Sequence, residues 1–117
     1  MIGYGARAGG NNSTATVRIR IGPTSLTGQI AASMAFGGTT TASSFMIQGV
    51  VTIRAAGASG AAIGALNSVY GTTQVLAVNS TTVSVDTTST NLLEFTVTSG
   101  NAINTYTLYN LLLERIQ

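Results

Sequence analysis

The chain has 117 residues, of which 7% are charged, and its net charge at pH 7 is +2. Its length suits a single domain covering residues 1–117. The basic side chains are five arginines spread along the sequence, and phosphate contacts need a cluster, so we predict no nucleic-acid partner. The sequence contains neither cysteine nor histidine, which excludes disulfides, thiolate metal sites and the commonest general base.

Two long spans lack charge, from Arg20 to Arg54 and from Arg54 to Asp86, and both are interrupted by polar residues and glycine. Neither span offers the run of about 20 apolar residues that a transmembrane helix needs, so we predict no membrane partner. A chain with so little charge is prone to self-association. We therefore expect its apolar strands to be covered inside an oligomer.

The first two predicted elements are strands at residues 2–8 and 15–22. The second alternates strictly, with Val17, Ile19 and Ile21 on one face and two arginines on the other. The turn-rich sequence GGNNST lies between the two segments. This arrangement predicts a hairpin in which the two strands pair with each other.

The middle of the chain contains further strand patterns at residues 27–36, 45–55, 73–78, 81–85 and 92–98. Turn signals separate them at intervals of roughly ten residues, which favours a sandwich or barrel.

The segment at residues 55–71, AAGASGAAIGALNSVYG, is rich in small residues. Its spacing, Gly57-x-x-Gly60-x-x-x-Gly64, does not match a dinucleotide-binding loop. We interpret it as a flexible connection between strands.

The final segment, YTLYNLLLERIQ at residues 106–117, needs arbitration between helix and strand. Its apolar residues cover more than half of a helical wheel, and no good N-cap precedes them. We predict a central strand covered on both faces. The candidate residues for the core or for an oligomer contact are Leu108, Leu111, Leu112 and Leu113.

The three acidic residues are Asp86, Glu94 and Glu114. We expect Asp86 to cap a turn, and Glu94 or Glu114 to pair with an arginine on a neighbouring strand. A serine nucleophile would lack a base, since the chain has no His or Lys. We predict no catalytic residue, no metal ligand and no cofactor, and hence no enzyme activity.

Three stretches together resemble a domain of tailed-phage virion proteins: TATVRIRIGPTSLTG, FMIQGVVTIRAAGASG and SVDTTSTNLLEFTVTSGNAINTYTLYNLLLERI. The matching elements fall at residues 16–24, 49–60, 85–88, 92–100 and 102–114, and their order and spacing carry the resemblance. It implies an all-β jelly-roll sandwich of about eight antiparallel strands, similar to tumour-necrosis-factor and complement-type heads, and a homotrimer. Members usually have another strand before the segment that matches residues 2–8. We expect this chain to be a fragment, or to have its sheet completed by a neighbour.

The resemblance implies a structural protein located in the virion, where it serves as a tail-fibre or tail-appendage component or as a capsid decoration. Its partners would be other copies of itself and other capsid or tail proteins. The alternative is a receptor- or glycan-binding head that contacts a host surface glycan or protein. Aromatic and amide side chains suit such ligands, so Asn67, Tyr70 and Asn79 are the candidate contact residues on loops.

Overall fold

The computed structural model describes residues 1–10, 12–37 and 42–115. These residues form nine β-strands and two antiparallel sheets, an arrangement compatible with a β-sandwich. The strands are β1 Ile2–Ala8, β2 Thr14–Gly22, β3 Gln29–Gly37, β4 Ser43–Ala55, β5 Ala61–Tyr70, β6 Thr73–Val78, β7 Val83–Ser84, β8 Leu92–Ser99 and β9 Thr105–Leu112.

The two sheets differ in width. The large sheet has the order β6-β5-β4-β1-β9, and the short β7 also pairs with β5. The small sheet has the order β3-β2-β8. The chain passes from one sheet to the other in the connections β1–β2, β3–β4, β7–β8 and β8–β9. Because the small sheet has fewer strands, it covers only part of the inner face of the large sheet.

Alternation of side chains builds the core between the sheets. Alternate residues along β2 and β5 are buried, as a strand with one face against the other sheet requires. The buried apolar side chains come from both sheets and include Val17, Ile19, Ala31, Ile47, Leu66 and Val85. The alternation predicted for residues 15–22 is therefore confirmed.

Two glycines allow the sheets to approach each other. A Cβ atom added at Gly49 on β4 would lie 2.7 Å from side-chain atoms of both Ile19 and Phe95. One added at Gly64 on β5 would lie 2.8 Å from the backbone of Ala31. These distances are shorter than van der Waals contact allows, so any larger residue would push the layers apart.

The predicted hairpin of residues 2–8 with residues 15–22 is wrong. β1 pairs with β4 and β9 in the large sheet, whereas β2 pairs with β3 and β8 in the small sheet. The two strands therefore lie in different sheets. Side-chain alternation indicates that one face of β2 is buried against the opposite sheet. It does not indicate which strand pairs with the β2 backbone.

The interpretation of residues 55–71 as a connection is wrong for most of its length. Ala61–Tyr70 is β5, which lies between β4 and β6 in the large sheet. Its buried positions begin with the small residues Ala62 and Gly64, and at Gly64 the backbone of the opposite sheet approaches closely. Small residues are required by this close packing, and they disguise the strand in the sequence.

The final segment is a strand, as predicted, at Thr105–Leu112. Its predicted central position is wrong, because within the described residues β9 is the last strand of the large sheet and pairs with β1 alone. It is not a filled core strand either. The four candidate leucines are exposed: Leu108, Leu111, Leu112 and Leu113 have exposed fractions of 45, 43, 57 and 61%. The apolar residues on both faces of this strand therefore lie on the surface of the chain and are not buried in its core.

Candidate interaction surfaces

The outward side of the large sheet carries a broad apolar surface, which we call the large-sheet outer face. Strand register aligns its residues in rows, one of which runs from Leu76 through Asn67, Gln48 and Ile2 to Leu112. The exposed large side chains of this face are Ile2, Tyr4, Met46, Val50, Leu76, Val78, Tyr109 and Leu112. Tyr4 and Tyr109 pack edge to face, with ring centroids 6.4 Å apart.

The rows of this face between Met46 and Val50 contain no charged residue. From Val50 to Met46 on β4, and across the facing positions of β1, β5, β6 and β9, every outward residue is apolar or an uncharged polar residue. The eight large side chains are 39 to 67% exposed. With typical side-chain areas this gives on the order of 800 Å² of exposed surface. Asn67 and Gln48 interrupt one of its rows, but an exposed apolar surface of this extent is typical of interaction sites on soluble proteins.

The outward side of the small sheet is polar by contrast. The Arg18 guanidinium donates to Thr98 Oγ1 at 2.9 Å, and Arg20 donates to Thr96 Oγ1 at 3.3 Å. Arg20 also donates to the Gly28 carbonyl at 2.8 Å. This surface is suited to water, so the two sides of the molecule differ in what they can contact.

Arg7 is a buried cation, and nothing in the sequence indicated that it would be buried. It lies on the inner side of β1 with 1% of its surface exposed, and its Nη1 donates to the Tyr70 hydroxyl at 3.1 Å. The hydrogen bond to Tyr70 is the main cause that raises the pKa of Arg7 above its ordinary value, against the effect of burial. Tyr106 also contributes to the raised pKa. The pair joins the first strand to the fifth inside the core.

Two of the three predicted ligand-contact residues do not lie on loops. Asn67 and Tyr70 belong to β5. The Asn67 amide oxygen accepts a hydrogen bond from Gln74 at 3.1 Å, and Tyr70 is 5% exposed. Asn79 does follow the end of β6, but its side chain donates to the Ala31 carbonyl at 2.9 Å. The three residues do not form one surface, because Tyr70 is turned into the core and Asn79 joins two strands.

Two of the three acidic residues, Asp86 and Glu94, stabilise turns. Asp86 accepts hydrogen bonds from the backbone and hydroxyl of Thr88 at 2.9 and 2.6 Å, and from Ser89 at 2.9 Å. These bonds lower the pKa of Asp86 and confirm its predicted role as a turn cap. Glu94, expected to pair with an arginine, instead accepts from the Ser25 hydroxyl and from the Leu26 N–H. Leu26 has a φ of 64°, so this carboxylate holds a strained turn in place.

Sequence reasoning missed the large-sheet outer face. Its signal is present, since residues 46–50 and 74–78 carry apolar side chains on both strand faces and no charge. When both faces of a strand carry apolar residues, the sequence does not decide whether the second face is buried or exposed. The register that aligns these residues across the sheet is seen only in the structure.

The chain gives no significant match to protein-family models, to curated proteins or to solved structures. Within the described ranges, no three acidic, histidine or cysteine side chains come together to form a metal site. The same part of the chain contains no helix long and apolar enough to span a bilayer.

Proposed function

We propose that this chain is a non-enzymatic structural subunit of a phage virion, and that it acts as a homotrimer. It serves as a tail-fibre or tail-appendage component or as a capsid decoration. The observation that carries the proposal is the large-sheet outer face, which combines roughly 800 Å² of exposed large side chains with an absence of charge across its described rows.

An exposed face of this kind needs a cover in solution. A typical stable interface takes about 800 Å² from each partner, and this face offers an area of that order. In a homotrimer, different parts of this face on each copy contact the two neighbouring copies, and apolar, uncharged surfaces complement each other without specific ion pairs. Closed cyclic symmetry is the usual outcome when identical chains associate.

The jelly-roll form of the sandwich is part of the proposal. Two observations support it: the two sheets are antiparallel, and the chain crosses between them in four connections. The virion as location rests on the order of the resembling segments, to which the comparisons with known proteins add nothing.

The alternative, a receptor- or glycan-binding head, loses its proposed contact residues. Tyr70 lies in the core, and the amides of Asn67 and Asn79 are bonded within the fold. No other described feature favours a ligand at these positions, so we do not propose this function.

Light scattering at increasing protein concentration tests the assembly. We expect a species with three times the chain mass of 11.9 kDa. A monomer at every concentration would contradict the homotrimer. Immunogold labelling of purified virions with an antibody to this chain tests the location separately. We expect gold on particles, and labelling confined to host-cell debris would contradict the virion assignment.

A further inference from the structure

A trough runs along the inner side of β8, and it is separate from the large-sheet outer face. β8 is the last strand of the small sheet in the described part of the chain, whereas β1 and β9 extend the large sheet two strands beyond β4. Two strand positions correspond to ~10 Å. Phe95 of β8 packs over Gly49 of β4, and the described part of the chain places no strand of the small sheet opposite β1 and β9.

Two cavities open along this trough. One of about 340 Å³ lies between β8 and β9, and its apolar lining includes Phe45, Phe95, Val97, Tyr106 and Leu108. Its lining contains no charged residue. The connection between β8 and β9, residues 100–104, joins the two sheets at this end of the trough.

The second cavity, of about 680 Å³, opens at the other end of β8. It is lined by Met1, Val51, Leu93 and Leu113, with Glu114 and Arg115 also in its lining. The trough is therefore mostly apolar along the length of β8, with Ser99 and Asn104 as polar lining residues near the β8–β9 connection. Among the described residues, the charged side chains of its lining, Glu114 and Arg115, are at the opposite end.

We propose that the trough binds one extended segment of another polypeptide, which pairs with β8 as a fourth strand of the small sheet. Alternate residues of an edge strand direct their N–H and C=O groups away from the sheet, and these groups are the template for such pairing. The bound segment has apolar residues at alternate positions, which enter the trough, and uncharged polar residues between them, which lie beside Thr96 and Thr98 on the outer side.

The geometry selects a single segment rather than the edge of a second folded copy. If two β8 strands paired about a twofold axis normal to the sheets, the overhanging β1 and β9 of both copies would occupy the same space. An isolated strand meets no such clash, since the overhang leaves room beside β8. The uncharged lining of the first cavity excludes acidic or basic side chains at the positions that enter it, because they would be buried without partners.

The expected interface is small. A six-residue strand is ~20 Å long, and with three side chains in the trough it falls at the low end of specific interfaces, roughly 1,000 Å² in total. This size fits a tail or linker of another virion component that docks reversibly. It does not fit an obligate subunit interface.

The test uses the full chain and a labelled seven-residue peptide that alternates threonine and valine. The control peptide alternates threonine and asparagine. We expect the first peptide to bind by fluorescence anisotropy and to slow hydrogen exchange of β8 amides. Binding of both peptides with equal affinity, or of neither at the solubility limit, would overturn the proposal.

Protein variants that introduce a charge into the trough complement the peptide comparison. Val97→Lys and Leu108→Lys place an ammonium group on opposite walls, where the wild-type side chains are 38 and 45% exposed. Leu26→Lys, at a 68% exposed position in the β2–β3 turn, is the control. Thermal melts establish which variants are folded. Two trough variants are used so that the test can still be made if one of them does not fold.

We expect at least tenfold weaker peptide binding in a folded trough variant and unchanged binding in Leu26→Lys. Unchanged binding in the folded trough variants would show that the peptide binds elsewhere. If β8 amides become protected as the concentration of the protein alone rises, the occupant is a second copy and the proposal is wrong.

Discussion

The hydrogen bond between the Arg7 guanidinium and the Tyr70 hydroxyl gives a sharp test of the core. Tyr70→Phe removes one oxygen atom and leaves the ring that packs among buried neighbours, so it creates almost no cavity. The Arg7 Nη1 donor at 3.1 Å then loses this acceptor while it stays buried. Hydrogen bonds to charged groups are worth about 1.5–3 kcal/mol. We therefore expect the free energy of unfolding to fall by about 2 kcal/mol.

Urea denaturation at fixed protein concentration measures this change, because oligomerisation makes stability depend on concentration. Tyr109→Phe is the matched control, since Tyr109 is 65% exposed. In an Arg7→Met background the cost of Tyr70→Phe should shrink to less than about 0.5 kcal/mol, because the charged donor has gone. Equal losses in the Tyr70 and Tyr109 variants, or an undiminished loss in the Arg7→Met background, would refute the reasoning.

Three further predictions concern single positions. Ser68→Ala should stabilise the protein by about 1 kcal/mol in urea melts, because in the described structure the buried Ser68 Oγ has no hydrogen-bond partner; destabilisation would contradict this. Gly64→Val should lower the thermal midpoint by more than about 10 °C, since its Cβ would overlap the Ala31 backbone; an unchanged midpoint would show that the sheets can separate. The lowered pKa of Asp86 stabilises the fold above its ordinary pKa of 3.8, and this contribution is lost as the pH falls through the lowered value. The wild-type advantage over Asp86→Asn should therefore shrink on acidification, and a constant difference would contradict the Thr88 contacts.

The strands were largely predictable because period-two alternation survives in the sequence. Val17, Ile19 and Ile21 identify β2, and their burial agrees with that pattern. β5 was missed since close sheet packing selects alanine and glycine at positions such as Ala62 and Gly64, which removes the apolar signal.

Strand pairing and burial were less predictable than strand identity. β1 and β2 are adjacent in sequence but lie in different sheets, because backbone pairing leaves no mark in side-chain alternation. Tyr70 was placed on a loop, yet it is held in the core by Arg7, 63 residues away. A contact over that separation has no local sequence signal. The leucines of β9 are a second example, because the sequence of an apolar segment does not indicate which part of the protein packs against it.

In the proposed homotrimer, the large-sheet outer face holds copies of this chain together. Leu76 and Leu26 are 67 and 68% exposed, but only Leu76 lies on that face. Sedimentation velocity of wild type, Leu76→Lys and Leu26→Lys at one concentration tests the claim most directly. We predict trimers for wild type and Leu26→Lys and a shift to monomer for Leu76→Lys. An unchanged trimer in Leu76→Lys, or a monomeric wild type, would contradict the account.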